Sequence, residues 1–354
     1  LSLYPVFIKL YTKNNIVDKR DARKVHINEV PTMGGVPIFI AFLIAIFIWI
    51  SYSELQEQRY FIGTLVFIFF VGLRDDFVNL KAFTKLLSQI VPAIVIFYLT
   101  DIKITSMYGF ISFSAFPIYL SLPITIFTII VITNSFNLID GLDGLAGVVS
   151  LIVLSAFGAW FIMNDSQSIG LLMFAMAGSI FAFLQYNWQP AKIFMGDTGA
   201  LLLGFFFSIV TIKFINLNTS LATDNPFKFE GSIATALAVL IIPLFDTLRI
   251  FTIRIIKRKS PFTADKNHTH HVLMRLGLSH AQTAIVLGLV NLIFIGLAII
   301  FRNVDDNILV PVILFIGLNL SLLLDYLIIK QVVSKKGKKP HNLMEIIKSS
   351  RKVS

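Results

Sequence analysis

The sequence predicts an all-α polytopic membrane protein, and three observations lead to that prediction. Of its 354 residues, 56% are hydrophobic and only 14% are charged, whereas soluble domains carry about 25% charged residues. Apolar runs that approach the ~20 residues needed to span a bilayer recur along the chain. Lysine and arginine are concentrated in alternate connections between those runs. An ordinary water-soluble globule is therefore excluded.

Ten apolar runs are candidate membrane helices, and a remnant at residues 1–10 would make eleven. The ten lie at 37–52, 60–73, 86–100, 118–133, 146–163, 170–186, 199–215, 232–248, 283–301 and 308–329. Because the chain opens with Leu1 on a short apolar run, we expect the first membrane helix to be truncated. No repeat or low-complexity linker divides the chain. We therefore expect one integral membrane domain over 1–330 and a basic cytoplasmic tail over 331–354.

The basic residues predict the orientation of these helices. Of the 30 lysines and arginines, 24 fall in one set of connections: 11–36, 74–85, 134–145, 187–198, 249–282 and the tail from 330. The opposite connections hold 5, so we expect the first set and the C-terminus to face the cytoplasm. On the other side, residues 101–117 alternate polar and apolar around Tyr108-Gly109, which predicts a short periplasmic hairpin.

Charge and cysteine content exclude further classes of function. A net charge of +10 would suggest nucleic-acid binding in a soluble chain. Basic cytoplasmic loops account for that charge here, and we expect no nucleic-acid partner. The chain has no cysteine, which excludes disulfides, thiolate metal sites and cysteine nucleophiles.

The acidic residues of the cytoplasmic connections lie mostly at the ends of apolar helices. A charge left in hydrocarbon costs ~2.5–3.5 kcal/mol or more, so a chain this poor in charge does not place carboxylates there without partners. The residues concerned are Asp75, Asp76, Asp140, Asp143, Asp197, Asp246 and Asp265, with His268, His270 and His271 in the same connections. They come from different connections on one face. This predicts a single polar site that faces the cytoplasm.

The first acidic pair, Asp75-Asp76, lies just after the second of the ten runs. Adjacent positions on a helix do not share a face, so the two side chains must diverge. One can meet a substrate or cation while the other is held by a base, for which Lys81 and Lys85 are close enough in sequence. A solvated helix cap with a salt bridge is the alternative interpretation.

The second motif places Asn134, Asn137, Asp140 and Asp143 three residues apart. This spacing predicts a ribbon of oxygen donors along one helical edge, and Gly141 and Gly144 beside it allow a ligand to approach closely. Carboxylate and amide oxygens suit a hard cation such as Mg²⁺, whose coordination shell is usually completed by phosphate. A plain turn would not explain the threefold spacing.

Two further motifs complete the predicted site. Asp197 lies between glycines directly before an apolar helix, where it could instead be a simple N-cap. The connection 249–282 holds seven basic residues and the pattern His268-Thr269-His270-His271. The histidines could form a transition-metal site, but no Glu or Cys has a recognisable zinc spacing nearby. The surrounding Lys and Arg favour phosphate or sugar contacts, and a solvated basic loop is the alternative.

With these motifs, the chain resembles the polyprenyl-phosphate N-acetylhexosamine-1-phosphate transferases of glycosyltransferase family 4. The same family contains the phospho-N-acetylmuramoyl-pentapeptide transferase of peptidoglycan synthesis. The resemblance runs from His26-x(4)-Pro31-Thr32-Met33-Gly34-Gly35 to about His280. It implies that undecaprenyl phosphate in the bilayer attacks the β-phosphorus of a cytosolic UDP-sugar, giving lipid-diphosphate-sugar and UMP. It further implies a requirement for Mg²⁺, with Mn²⁺ as an alternative, residence in the bacterial cytoplasmic (inner) membrane, and a homodimer as one oligomeric option.

The resemblance also implies roles for individual residues. The catalytic set is Asp75, the family's proposed base, with Asp76, Lys85, His270 and His271. The Mg²⁺ ligands are Asn137 and Asp197. The substrate-binding set, mostly around the nucleotide, is Asn134, Asp140, Asp143, Asn187, Phe194, Arg249 and His268.

Two departures from the family pattern bear on the substrate. Phe77 stands where some relatives have Arg after the Asp pair, so any role of that Arg is absent here or supplied elsewhere. Thr269 interrupts the three contiguous histidines of the peptidoglycan enzyme, which favours N-acetylglucosamine-type transferases that start surface-polysaccharide or teichoic-acid synthesis. The pentapeptide transferase is the alternative within the family. A secondary transporter is the alternative of another class, and it would place its acids near the midplane of inverted repeats.

Overall fold

The computed structural model describes residues 1–14, 16, 30–110, 115–256 and 268–336, and every regular element in those ranges is an α-helix. The predicted all-α class is therefore confirmed. The helices are α1 (Leu3–Lys13), α2 (Gly35–Trp49), α3 (Tyr52–Glu57), α4 (Arg59–Val78), α5 (Ala82–Leu99), α6 (Ile118–Ile139), α7 (Leu145–Met163), α8 (Gln167–Asn187), α9 (Gly196–Ser220), α10 (Ser232–Val239), α11 (Ile241–Ile256), α12 (Thr269–Arg275), α13 (His280–Ile300) and α14 (Asp306–Lys336).

Within those ranges, seven helices are long and apolar enough to cross a membrane: α5, α6, α7, α8, α9, α13 and α14. The number is eight if α10 and α11 form one bent span. The prediction of a polytopic membrane protein is confirmed, and each of the ten predicted runs falls on a helix. Two of them miss the length or composition of a full span, because α2 has 15 residues and α4 carries Arg74, Asp75 and Asp76 shortly before its end.

The predicted span at 232–248 is not one straight helix. α10 ends at Val239 and α11 begins at Ile241, with an angle of 87° between them. Asn291 of α13 is fully buried and donates from Nδ2 to the Val239 carbonyl at 3.0 Å. It thereby satisfies a carbonyl that the helix end leaves without an internal partner. The single predicted span is corrected to two helices joined by a sharp bend.

α9 lies at the centre of the helical bundle. Of its apolar stretch, 83% is buried, compared with 28% for α5 and 17% for α14. The Phe206 ring lies 6.0 Å from that of Phe42 in α2 and 5.2 Å from that of Phe61 in α4. Phe207 meets Phe136 of α6 edge-on at 5.0 Å. Protein side chains therefore surround α9, whereas α5 and α14 expose most of their surface, as lipid-facing helices do.

Glycines let two helices approach the start of α9 closely. A Cβ on Gly72 of α4 would lie 2.6 Å from the Cα of Thr198, and one on Gly35 of α2 would lie 2.1 Å from the amide nitrogen of Gly199. Both distances are shorter than any real Cβ contact, so a side chain at either position would push α9 away. This approach places the last turns of α4 beside the first turn of α9.

Residues 101–117 turn back on themselves, although the described part of this segment contains no strand. The turn lies at Tyr108 and Gly109, whose φ angles are +49° and +94°. Beyond it, the N–H of Phe116 donates to the Thr105 carbonyl at 2.7 Å. Residues 111–114 of the predicted hairpin lie outside the described residues, as does most of the predicted tail, since α14 ends at Lys336.

We predict that Gly72→Ala destabilises the protein and that Gly63→Ala does not. The two glycines share α4, but a Cβ on Gly63 would have no atom within 4 Å, whereas one on Gly72 would meet the backbone of α9. The clash at Gly72 should cost about 1–3 kcal/mol. Thermal unfolding of the two purified variants in the same detergent checks this. Equal unfolding temperatures would show that α4 does not need glycine against α9.

Candidate active site

Four helix ends meet at one face of the bundle. α4 and α6 end there, and α5 and α9 begin there, as the side-chain contacts between their terminal turns show. The loops that follow α6 and α8, together with α12 and the start of α13, lie at the same face. The residues that the sequence assigned to one polar site therefore come from connections that contact one another.

Asp76 caps the start of α9. Its Oδ1 accepts the N–H of Asp197 at 2.7 Å, and its Oδ2 accepts the N–H of Thr198 at 3.0 Å together with the Thr198 hydroxyl. First-turn N–H groups lack a partner within their helix, and a carboxylate there also meets the positive end of the helix dipole. Gly196 has φ +73°, and a Cβ on it would lie 2.9 Å from both Asp76 oxygens. Asp76 thus has a structural role. Its catalytic role stays a prediction.

Asp75 points to a different side of α4 and belongs to a group that we call the Lys85 cluster: Asp75, Lys85, Asn137 and Asp197. The Lys85 ammonium lies 2.8 Å from Asp75 Oδ2 and also bonds to Asp197 Oδ1. Asn137 donates from Nδ2 to the same Asp197 oxygen at 3.0 Å. The Asp75 side chain is 4% exposed and that of Asp197 is 32% exposed, so the cluster runs from a buried carboxylate to an accessible one.

Asp197 and Asn137 are the residues that fit a Mg²⁺ ion. Mg²⁺ keeps several waters and usually takes one or two carboxylates together with substrate phosphates, rather than a complete protein cage. An accessible carboxylate beside a side-chain amide matches that requirement. In the part of the chain that the structure describes, no group of three or more His, Asp or Glu side chains could hold a metal without substrate.

Asn134 lies one turn before Asn137 on α6 and has a partner that sequence reasoning missed. Its Nδ2 donates to Gln89 Oε1 at 2.9 Å and to the Ile130 carbonyl at 2.8 Å. Gln89 is fully buried in α5. A lone amide in an apolar run was the available signal, because polar side chains at membrane depth are usually paired or functional.

Asp140 follows α6 and is the acid of the predicted donor ribbon with the fewest contacts. No hydrogen bond reaches its half-buried carboxylate from the residues that the structure describes. Burial, and then the negative charges of Asp197 and Asp76, raise the pKa of Asp140 well above its ordinary value of 3.8. Asp140 therefore lies close to the Lys85 cluster and is available to a ligand.

Asp143 and Asn187 hold the loop that follows α8. Asp143 Oδ2 accepts the N–H of Ala191 at 3.2 Å, and its Oδ1 lies 3.4 Å from His280 Nδ1. Asn187 accepts the N–H of Gly144 at 2.9 Å and donates to the Ile193 carbonyl at 2.8 Å. Both side chains are at least 95% buried in these contacts. Their predicted substrate contacts stay predictions beside this structural role.

Phe194 contributes backbone contacts that join the N-terminal motif to the site. Its N–H donates to the Pro31 carbonyl at 2.8 Å, and its carbonyl accepts the N–H of Gly34 at 2.8 Å. The Phe194 side chain is half-buried. His26, with which the motif begins, lies outside the described residues.

The three histidines form a compact ring cluster at the start of α12. The rings of His268 and His270 stack with centroids 5.5 Å apart, and His271 lies 4.3 Å from His270. Burial, and then the charge of His271, lower the pKa of His270 to about 3. His270 Nε2 would lie 3.4 Å from a Cβ on Gly141, so the cluster borders the loop that follows Asp140.

Arg249 and Asp246 lie one turn apart on α11 and have different partners. Arg249 bonds to α14, with Nε at 2.7 Å from Ser321 Oγ and a terminal nitrogen at 2.6 Å from Asp325 Oδ1. Its predicted substrate contact is not tested by this pairing. Asp246 instead bonds to His268, a partnership that sequence reasoning did not assign even though it placed both residues in the site.

The sequence is similar to those of known glycosyl transferases. The model of "Glycosyl transferase family 4" matches residues 58–215. The chain is 32% identical, over 86% of its length and 82% of the relative's, to a probable undecaprenyl-phosphate N-acetylglucosaminyl 1-phosphate transferase of Bacillus subtilis. It is 30% identical to the undecaprenyl-phosphate α-N-acetylglucosaminyl 1-phosphate transferase of Salmonella typhi, over 82% and 78% of the two chains. The enzyme of the same name from Escherichia coli K12 is 29% identical over 79% and 75%.

We predict that Asp76→Ala lowers the stability of the protein, whereas Asp140→Ala does not. The first change leaves two first-turn N–H groups of α9 without an acceptor, which should cost about 1–3 kcal/mol. The second removes a carboxylate that accepts no hydrogen bond from the described residues. Thermal unfolding in detergent measures both. An Asp76→Ala variant that unfolds at the wild-type temperature but is inactive would show that Asp76 acts on substrate instead.

Proposed function

Since the chain belongs to glycosyl transferase family 4, as a polyprenyl-phosphate sugar-1-phosphate transferase, we propose that it transfers N-acetylglucosamine 1-phosphate from UDP-N-acetylglucosamine to undecaprenyl phosphate. The products are the lipid-diphosphate-sugar and UMP. In this reaction a phosphate oxygen of the lipid forms a bond to the β-phosphorus of the donor. The bond from that phosphorus to the UMP oxygen breaks.

The observation that carries the proposal is the Lys85 cluster. It gathers two carboxylates, an ammonium and an amide from four different helices at one end of the bundle. A site at the end of membrane helices can receive a soluble nucleotide from one side and a lipid phosphate from the other. The same placement disfavours a secondary transporter, whose acids lie near the midplane of the bilayer.

The chemistry needs neutralisation of charge more than covalent catalysis. Both substrates are phosphate anions, so they repel each other as they approach, and transfer depends on positioning and on positive groups nearby. Lys85 supplies a positive charge between Asp75 and Asp197. We propose that Asn137 and Asp197 hold Mg²⁺, with Mn²⁺ as a substitute. When bound there, the cation would neutralise diphosphate oxygens and polarise their bonds to phosphorus.

The contacts of Asp75 support a role in holding Lys85. Asp75 Oδ2 pairs with Lys85, and Asp75 Oδ1 accepts the N–H of Leu80 at 2.7 Å, so both oxygens already have partners. A phosphate monoester has a second pKa near 6 and is largely deprotonated at neutral pH. The lipid phosphate therefore has little need of a base. The family's role of Asp75 as a base would require it to release Lys85.

The choice of N-acetylglucosamine has two supports. The relatives at about 30% identity carry that sugar in their names, and the His268-Thr269-His270-His271 pattern departs from the contiguous histidines of the pentapeptide transferase. The His270 ring borders the loop after Asp140, and the other two rings pack against it. We propose that they contact the sugar or the diphosphate of the donor, with Asp140 nearer the nucleotide.

We predict that Asp197→Asn nearly abolishes UMP release. The loss of one charged group that acts on the transferring phosphate should lower kcat about 100-fold or more. The backbone N–H of residue 197 still donates to Asp76, so the fold should persist. Binding of Mn²⁺, followed by electron paramagnetic resonance, should weaken in parallel. Asp224→Asn, at an exposed acid far from the cluster, is the control. Wild-type turnover of Asp197→Asn at limiting Mg²⁺ would contradict the assignment.

The purified protein should release UMP from UDP-N-acetylglucosamine at least about tenfold faster than from UDP-N-acetylmuramoyl-pentapeptide. A site that is built to hydrogen-bond one polar group discriminates strongly against a donor that cannot make the same bonds. Undecaprenyl phosphate is the acceptor, and reactions without it give the background. A faster reaction with the pentapeptide donor would assign the protein to the peptidoglycan branch.

We also predict that the face of the Lys85 cluster lies in the bacterial cytoplasm. Because the chain has no cysteine, a single one can be introduced at the exposed position Lys192 on that face or at Thr223 on the opposite face. A membrane-impermeant thiol reagent added to intact cells should label Thr223→Cys and not Lys192→Cys. The opposite result would reverse the orientation.

A further inference from the structure

Asp246 is a buried carboxylate that the proposed reaction leaves without a role. It lies in α11, is 3% exposed, and uses its two oxygens differently. Oδ1 accepts both the N–H and the hydroxyl of Thr269, at 2.7 and 2.6 Å, and so caps the first turn of α12. Oδ2 lies 2.7 Å from Nδ1 of His268, which is itself 6% exposed. One buried group therefore fixes both the helix and the ring that precedes it.

The pairing determines which nitrogen of His268 carries a proton. An ionised carboxylate can only accept hydrogen bonds, so Nδ1 must be the donor. Nε2 is then the nitrogen that remains for another partner. In a histidine held by a carboxylate in this way, the carboxylate sets the tautomer and orientation of the ring and stabilises its protonated form.

The orientation of His268 extends to the rest of the ring cluster. Its ring is nearly parallel to that of His270, at an interplanar angle of 13°, and His270 reaches the loop at Gly141. The series Asp246, His268, His270 and Gly141 therefore runs from α11 to the loop after α6, one residue beyond Asp140. A ring turned at His268 would displace its stacked neighbour at the site.

We propose that Asp246 is a positioning residue, which holds His268 with Nδ1 protonated and thereby presents Nε2 and the stacked His270 to the phosphosugar donor. The inference rests on the proposed function for its effect on turnover. The tautomer itself does not depend on which reaction the protein catalyses.

The test is Asp246→Asn. An asparagine has nearly the same shape, and its Oδ1 can still accept both bonds from Thr269. Its Nδ2 must donate to His268 Nδ1, which moves the ring proton to Nε2. The first readout is the tautomer of His268. It is measured from nitrogen–proton correlation spectra of protein labelled with ¹⁵N-histidine. The signals of His268 are assigned by their loss in the variant His268→Gln. Wild type should show a protonated Nδ1 and Asp246→Asn an unprotonated one.

The second readout is the kinetics of UMP release. We expect Asp246→Asn to lower kcat about 10- to 100-fold, as the loss of a group that orients a catalytic side chain does. The KM for the donor should change less than about threefold and the unfolding temperature less than about 2 °C, since the cap on α12 is retained. A fall in kcat without a fall in stability separates positioning from a purely structural role.

Asp306→Asn is the matched control. Asp306 is 2% exposed and accepts the N–H groups of Ile233 and Ala234, at 3.2 and 2.7 Å, so it caps α10 as Asp246 caps α12. It lies at the opposite face and has no histidine partner among the described residues. The same carboxylate-to-amide change there should leave kcat within about twofold of wild type.

Three results would overturn the proposal. An unprotonated Nδ1 on His268 in wild type would show that Asp246 does not set the tautomer of that ring. A reversed tautomer in Asp246→Asn with wild-type kcat would show that the orientation of the ring does not matter. Equal losses of kcat in Asp246→Asn and Asp306→Asn would reduce both residues to helix caps. If wild type releases no UMP from either donor, the proposed function fails, while the tautomer spectrum still decides whether Asp246 orients His268.

Discussion

The hydrogen bonds from the first turn of α9 to Asp76 are the interaction on which the site depends. α9 is the most buried of the long apolar helices in the described part of the chain, and the N–H groups of its first turn have no partner within the helix. Asp76 satisfies two of them and, because it belongs to α4, fixes α4 and α9 in register. Asp197 is the first of the residues so bound. The position of the accessible Asp197 carboxylate therefore depends on the hydrogen bonds that the half-buried Asp76 accepts from the first turn of α9.

The same device recurs twice more, at α12 with Asp246 and at α10 with Asp306. A carboxylate within a membrane protein is costly unless it is paired, and the start of a helix offers unpaired donors and a favourable dipole. Asp76, Asp246 and Asp306 therefore join helices to each other, whereas Asp197 stays accessible at the site, with a side chain that is 32% exposed.

Much of the fold and of the site could be predicted from the sequence, because apolar length and the position of charge are local properties. The runs became helices, and Asp75, Lys85, Asn137 and Asp197 converge as expected. What could not be predicted is which partner each polar group takes, because that choice depends on packing between distant segments. At the bend between α10 and α11, for example, the Val239 carbonyl accepts a hydrogen bond from Asn291, some fifty residues further along the chain. Similarly, the side chains of Asp143 and Asn187 form hydrogen bonds to a loop whose conformation the sequence does not predict.

The contrast between α5 and α9 has a consequence for the environment in which the protein works. α5 has 18 residues, or about 27 Å of helix, and only 28% of it is buried. Most of its surface therefore contacts lipid, and its hydrophobic length has to fit the thickness of the hydrocarbon layer. Lys85 lies in the first turn of this helix, while Asp197, one of the two carboxylates it binds, belongs to the better-packed α9. A bilayer that is thicker or thinner than the hydrophobic length of α5 makes the helix tilt or the lipid deform. We therefore expect the composition of the membrane to affect the geometry of the site through the bonds of Lys85.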